Sequence, residues 1–252
     1  MTEAQIVHGS GADMAQIGAG EAALILASPP YWPEDLESAV EADGRGGVGG
    51  PELARRLCEF PFALRPVYVE CDRILAADGT LILQVRDVRI GTGLVGVEGL
   101  HRDLLEALGL QLRARHVWRP RYVTATRRQK LANEAASGLP HPFDPEVFLV
   151  FTRPGGHPRG EPAAGDLDLL QADVIVTKKG HLPAPHPHQA PMPLLEAFIR
   201  CYSRAGDLVV DPFAGGGTTV VMAKRLGRRA IGYECNPEAV ELARRNIGGA
   251  AA

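Results

Sequence analysis

Leu208-Val209-Val210-Asp211-Pro212-Phe213-Ala214-Gly215-Gly216-Gly217-Thr218-Thr219 is the stretch on which the fold turns. Leu208–Asp211 is apolar and reads as a buried strand, Phe213–Gly217 as a glycine-rich turn, and Thr218–Leu226 as a helix mixing apolar and basic residues. Gly227 stands where a helix C-cap belongs. Ala230–Glu234 is the next strand. Asn236 is a good N-cap and Pro237 a good first helical residue, so a final helix should run to about Asn246. The order is strand, loop, helix, strand, helix.

Glycines in such a loop let the backbone approach a ligand closely, and the helix start offers unpaired N–H groups. The dinucleotide fingerprint G-x-G-x-x-G fails, because counting from Gly215 puts Val220 at the last glycine position. A phosphate-binding P-loop fails too, since no Gly-Lys-Ser/Thr follows. What fits is a small nucleoside-like ligand. Glu234, at the end of the following strand, is placed to accept hydrogen bonds from both hydroxyls of a ribose, which suits an adenosine-containing ligand without a pyrophosphate. The alternative is a tight turn with no ligand, for which three consecutive glycines are a costly choice.

Further out, Ala22–Ala27, Gly79–Val85, Gln111–Trp118 and Pro145–Thr152 read as strands, and Pro51–Leu75, Gly99–Leu108 and Pro193–Tyr202 as helices. Alternation of this kind implies an α/β fold: a mostly parallel, Rossmann-like sheet with helices on both faces, in one domain over residues 1–252. Residues 1–118 and 181–247 form its two halves, joined by 119–170. Glu41–Gly50 and Pro154–Gly165 are rich in glycine or proline and read as loops.

Ser28-Pro29-Pro30-Tyr31-Trp32 follows the first of these strands directly. The two prolines lack N–H donors and stiffen the loop, leaving the Pro29 carbonyl free to accept. Ser28 adds a hydroxyl and Tyr31 a flat face, so an amino group on a planar base would meet all three. Alone, such a loop is as readily a turn that happens to contain aromatics.

Ser28–Trp32 resembles the catalytic motif of the DNA methyltransferases that act on amino groups, and Asp211–Thr219 resembles their S-adenosylmethionine loop, with Gly216 where serine is usual. The catalytic motif comes first, the permuted order of the β group of this family. His186–Ile199 is similar to the segment that precedes the cofactor strand in that group. The resemblance implies S-adenosyl-L-methionine as cofactor, with Asp211, Phe213, Ala214, Gly215, Gly217, Thr218, Glu234 and His186 around it. It implies Ser28, Pro29, Pro30 and Tyr31 as the catalytic residues. Serine before Pro-Pro is associated with cytosine N4, and aspartate there with adenine N6. The expected activity is therefore methylation of cytosine N4 in double-stranded DNA, with adenine N6 and an RNA base as alternatives. The amine would be held by Ser28 and the Pro29 carbonyl for direct in-line displacement, the base having left the duplex stack to lie on Tyr31. A homodimer and a cognate restriction endonuclease are partners the family suggests.

Hydrophobic residues make up 45% of the 252 and charged residues 23%, as in a packed globular chain. With a net charge of −3, DNA binding must rest on a local basic patch. Arg113, Arg115, Arg119, Arg121, Arg127, Arg128 and Lys130 supply one, with Trp118 and Tyr122 interleaved and no acidic residue among them. Of these, Arg119, Arg121, Arg127, Arg128 and Lys130 are the candidate DNA contacts; a solvated basic strand and loop is the plainer alternative. Cys58, Cys71, Cys201 and Cys235 are scattered and none follows a proline, which disfavours disulfides, zinc ribbons and carbon-5 cytosine methylation. His181, His186 and His188 lack nearby carboxylates or thiols before them, so no metal is expected. No run of apolar residues suits a membrane span and no signal sequence is evident, so a cytoplasmic protein is expected.

Overall fold

Ala22–Ala27 is buried at all six positions, which a strand achieves only when both faces of its sheet are covered. The computed structural model describes residues 3–32, 51–90, 93–120, 145–177 and 191–249. Its strands are β1 (Ala4–His8), β2 (Ala22–Ala27), β3 (Leu75–Val85), β4 (Val88–Ile90), β5 (Gly93–Val95), β6 (Gln111–Pro120), β7 (Glu146–Thr152), β8 (Ile175–Thr177), β9 (Leu208–Asp211) and β10 (Arg229–Glu234). The helices are α1 (Pro51–Ala63), α2 (Arg65–Ile74), α3 (Val97–Ala107), α4 (Asp166–Gln171), α5 (Met192–Tyr202), α6 (Thr218–Arg225) and α7 (Pro237–Gly249).

Eight strands form one sheet in the order β1-β10-β9-β2-β3-β7-β6-β8, and β4 and β5 form a separate hairpin. All pairings in the large sheet are parallel except those of β7, which runs against β3 and β6. The connection from β9 to β10 steps away from β2, and the connection from β2 to β3 steps the opposite way. Right-handed crossovers in opposite directions put their helices on opposite faces. The core shows this directly. Val220–Ala223 of α6 pack with Leu24 and Leu26 of β2. Val67, Tyr68, Cys71 and Ile74 of α2 pack with Ile25 and Ala27 on the other side. The boundary between β9 and β2 is thus the switch point of the sheet, and open α/β sheets take their ligands at the carboxyl ends of the strands there.

Local chemistry explains most boundaries. Asn236 caps α7, its Oδ1 accepting from the N–H groups of Glu238 at 2.9 Å and Ala239 at 3.2 Å. Gly227 takes φ +79° just past α6, as a C-terminal glycine should. The single helix expected over Pro51–Leu75 is instead two, because Pro66 has no N–H to give the preceding turn and its ring crowds it; the chain breaks at Leu64. β3 starts at Leu75 rather than Gly79. β1, β8, α4 and the β4–β5 hairpin carried too little periodicity to be seen in the sequence.

Gly217 has φ +79° at the N-cap of α6, and a Cβ there would lie 2.9 Å from the Ala243 Cβ of α7. Gly217→Ala is expected to lower stability by about 2–4 kcal/mol, from left-handed strain plus overpacking. An unchanged urea midpoint would show that the turn is not held this way.

Candidate active site

β9 and β2 are adjacent and parallel, with Val209 beside Leu24 and Val210 beside Ile25. The loops that follow them, 212–217 and 28–32, therefore leave the same edge of the sheet from strands about 5 Å apart. β10 lies on the far side of β9, with Gly232 beside Asp211, and brings Glu234 to that edge. The two sequence motifs, nearly the whole chain apart, meet at the switch point.

Glu234 is tied to the glycine turn. Its Oε2 accepts from the Gly215 N–H at 2.8 Å and its Oε1 from the Asn236 N–H at 2.7 Å. Each oxygen keeps a second lone pair, and the side chain is only half-buried, so the carboxylate is oriented yet still able to accept from two neighbouring hydroxyls. The Ala214 N–H donates to the Tyr233 carbonyl at 2.9 Å, and Asn246 of α7 donates to the Gly216 carbonyl at 2.9 Å. These bonds hold the turn rigid between β10 and α7. Gly232 lets it sit close: a Cβ there would lie 2.7 Å from the Ala214 Cβ and 2.8 Å from Val220. The segment after β1 closes the other flank, since a Cβ on Gly11 would lie 2.7 Å from the Pro212 carbonyl oxygen.

Asp211 is buried, and its Oδ1 accepts from the Phe213 N–H at 3.0 Å. Asp211 is not the N-cap of α6, a position that Gly217 occupies. Burial pushes the Asp211 carboxyl up to about 7, against the opposing Thr219 and Phe213 hydrogen bonds, and the neighbouring Glu234 charge adds to the rise. The folded chain then holds this proton more tightly than the unfolded one. That contribution to stability is complete below 3.8 and is lost as the pH rises through about 7. Asp211→Asn is expected to raise the thermal midpoint more at pH 8 than at pH 5. Equal shifts at the two pH values would contradict the burial argument. Phe213 is half-exposed at the mouth of the turn.

In the other half, Pro29 is buried, Ser28 half-buried and Pro30 exposed. Tyr31 and Trp32 pack against Leu53 and Leu57 of α1 and Val88, Val95 and Val97 around the hairpin. The Tyr31 hydroxyl donates to Glu146 Oε2 at 3.1 Å, and Gln84 Nε2 donates to the same oxygen. The Arg86 guanidinium lies over the Tyr31 ring, 4.6 Å from its centre. Burial, reinforced by the Glu146 charge, pushes the Tyr31 hydroxyl well above its ordinary value, so it remains a donor. Sequence reasoning missed Gln84, Arg86 and Glu146. The available signal was a lone glutamine at the carboxyl end of an otherwise apolar strand. Nothing in the sequence showed that β7 is reversed, which is what brings Glu146 to the same edge.

Of the candidate DNA contacts, Arg119 is exposed on β6; Arg121, Arg127, Arg128 and Lys130 lie outside the described residues, as does His186. The basic run is partly neutralised: Arg115 donates to both carboxylate oxygens of Glu98, at 2.6 and 2.9 Å. Among the described residues no cluster of three metal-ligating side chains occurs and no helix is long and apolar enough to cross a membrane.

Residues 165–245 match the N6_N4_Mtase family, described as DNA methylase. Over 62 residues the chain is 48% identical to the type II methyltransferase M2.DpnII of Streptococcus pneumoniae, a stretch covering 25% of this chain and 23% of that protein. The fold resembles that of TTHA0409 from Thermus thermophilus, assigned as a DNA modification methylase and solved with S-adenosyl-L-methionine, at TM-score 0.71 and 24% identity, covering 98% of this chain and 97% of that one. It also resembles the PvuII DNA methyltransferase (cytosine-N4-specific), at TM-score 0.74 and 15% identity, over 98% of this chain and 87% of that one. The architecture is the Rossmann-like α/β fold that these solved structures share. Over residues 165–245 the chain is thus similar to N6/N4 DNA methylases, and its likeness to the solved structures is one of fold.

Proposed function

We propose that the protein is a DNA methyltransferase that uses S-adenosyl-L-methionine to methylate the exocyclic N4 of cytosine in double-stranded DNA. The observation that carries this reading is the meeting of the 28–32 and 212–217 loops at one edge of adjacent parallel strands. The residues fit the cofactor: a carboxylate pinned at the end of β10, a rigid glycine turn against it, and a half-exposed aromatic ring beside the turn. Glu234 would take the ribose hydroxyls, Phe213 would line the site, and Asp211, at the end of β9, would face the methionine amine. When bound, the cofactor supplies an electrophilic methyl group on a sulfonium.

The chain's own residues would do the rest. Ser28 Oγ and the Pro29 carbonyl would accept from the amine N–H groups and fix the direction of the nitrogen lone pair. Tyr31 would support the flipped base, offsetting part of the unstacking cost. Catalysis here is positioning more than acid–base chemistry. Arg119, with Arg121, Arg127, Arg128 and Lys130, would contact phosphates. The type II designation of M2.DpnII favours a setting beside a restriction endonuclease.

Mass spectrometry of nucleosides from unmethylated genomic DNA incubated with the protein and cofactor tests the reading. N4-methyldeoxycytidine is the expected product. N6-methyldeoxyadenosine would keep the enzyme and overturn the base drawn from Ser28, and the absence of both with cofactor still bound would turn attention to RNA.

A further inference from the structure

Tyr31 is the side chain on which the proposed function rests the target base, yet it sits on a loop beyond the last residue of β2. A ring on a loop swings unless something holds its far end. Here Glu146 does so. Its carboxylate, at the start of β7, receives the Tyr31 hydroxyl at 3.1 Å. Gln84, buried near the end of β3, donates to the same carboxylate oxygen and fixes it in turn. β3 and β7 are paired residue by residue from Thr80–Thr152 to Val85–Val147, so the support is sheet rather than loop. The Arg86 guanidinium covers a face of the ring, and the α1 and hairpin side chains pack around it.

We infer that Glu146, held by Gln84, is a positioning residue for methyl transfer: it sets the plane of the Tyr31 ring, and through it the plane of the base. The inference rests on Tyr31 being the base support. Its leverage is geometric. A base lying on the ring carries its exocyclic nitrogen well out from the ring centre, so a small tilt of the ring displaces the nitrogen from Ser28 Oγ and the Pro29 carbonyl. Misplacement by about 1 Å costs on the order of a hundredfold in rate. Cofactor binding, built on β9 and β10, is independent of this tie.

The test is a double-mutant cycle on methylation of unmethylated genomic DNA. Tyr31→Phe, which keeps the ring and loses the anchor, and Glu146→Ala are each expected to lower kcat about tenfold. The KM for DNA and the Kd for S-adenosylmethionine should stay within a factor of about two to three, the usual context spread of a single contact. In the Tyr31→Phe background Glu146→Ala should add nothing further. Glu146→Gln, whose amide oxygen still accepts, should recover most of the rate. Multiplicative losses in the double variant, or failure of Glu146→Gln to recover rate while the melting temperature is unchanged, would overturn the inference. A second readout does not need turnover. With 3-fluorotyrosine incorporated, the resonance that disappears in Tyr31→Phe should shift or broaden in Glu146→Ala and be retained in Glu146→Gln. A resonance unmoved by Glu146→Ala sinks the tie itself. A resonance that behaves as expected in a protein that methylates nothing sinks the proposed function instead.

Discussion

Replacing Glu234 with alanine is expected to weaken binding of S-adenosylmethionine at least about a hundredfold, and replacing it with glutamine nearly as much. The glutamine variant carries the sharper argument. Both Glu234 oxygens already accept from backbone N–H groups, of Gly215 at 2.8 Å and Asn236 at 2.7 Å. An amide supplies only one oxygen, so one of those N–H groups would face an NH2 group, donor against donor. An unsatisfied or opposed donor costs about 1–3 kcal/mol, and loss of a charged acceptor for a ligand hydroxyl costs about 1.5–3 kcal/mol. Together these come to about 2.5–6 kcal/mol, against the roughly 2.7 kcal/mol that a hundredfold change requires. Much of the first cost falls on the shape of the Gly215 turn, so even parts of the cofactor that never touch Glu234 should bind less well. Calorimetric titration reads the affinity directly. An affinity within threefold of the parent in both variants would remove Glu234 from the site.

The proposed cofactor half was legible because its chemistry is local in sequence. A strand, a glycine turn, a helix, a strand and a capped helix lie within Leu208–Gly249, and each boundary is set by a residue whose effect is felt within a turn: Gly217, Gly227, Asn236, Pro237. The proposed base-binding half was legible only in part. Ser28–Trp32 stood out, but the group that holds Tyr31 did not. Glu146 lies 115 residues away from Tyr31 in the chain, and it reaches the site only because β7 runs antiparallel between β3 and β6. A β-strand pattern carries no record of its direction. The same limit applies to the basic run on β6: Arg115 reads as free charge in sequence, and its pairing with Glu98 of α3 depends on how α3 packs against the sheet. Helix α2 illustrates the opposite case. Pro66 carries a breaker's chemistry close at hand in sequence, but the apolar spacing on both sides read as one continuous helix.

Ser28→Ala is expected to lower kcat by about a hundredfold to a thousandfold, the usual cost of losing one preorganised hydrogen-bond partner at a reacting centre. Its Kd for S-adenosylmethionine should be unchanged. The side chain lies between buried Ala27 and buried Pro29 on the β2 loop, and no part of the Glu234–Gly215 arrangement depends on it. Tyr31→Ala should act differently. Base stacking on an aromatic side chain is worth about 1–3 kcal/mol, and that support exists both when the base is captured and when it reacts, so the KM for DNA should rise as kcat falls. Tyr31→Ala also opens a gap beside Leu53, Leu57 and Val95, and Tyr31→Leu, which refills most of that gap without a flat face, separates the loss of packing from the loss of the stacking face. The contrast between the two positions is the informative result. A hydroxyl that only orients the amine should leave DNA capture intact, whereas a ring that receives the base should not. Methyl transfer at the parent rate by Ser28→Ala would mean that the Pro29 carbonyl alone orients the nitrogen, and would detach the choice of cytosine N4 from the serine at this position.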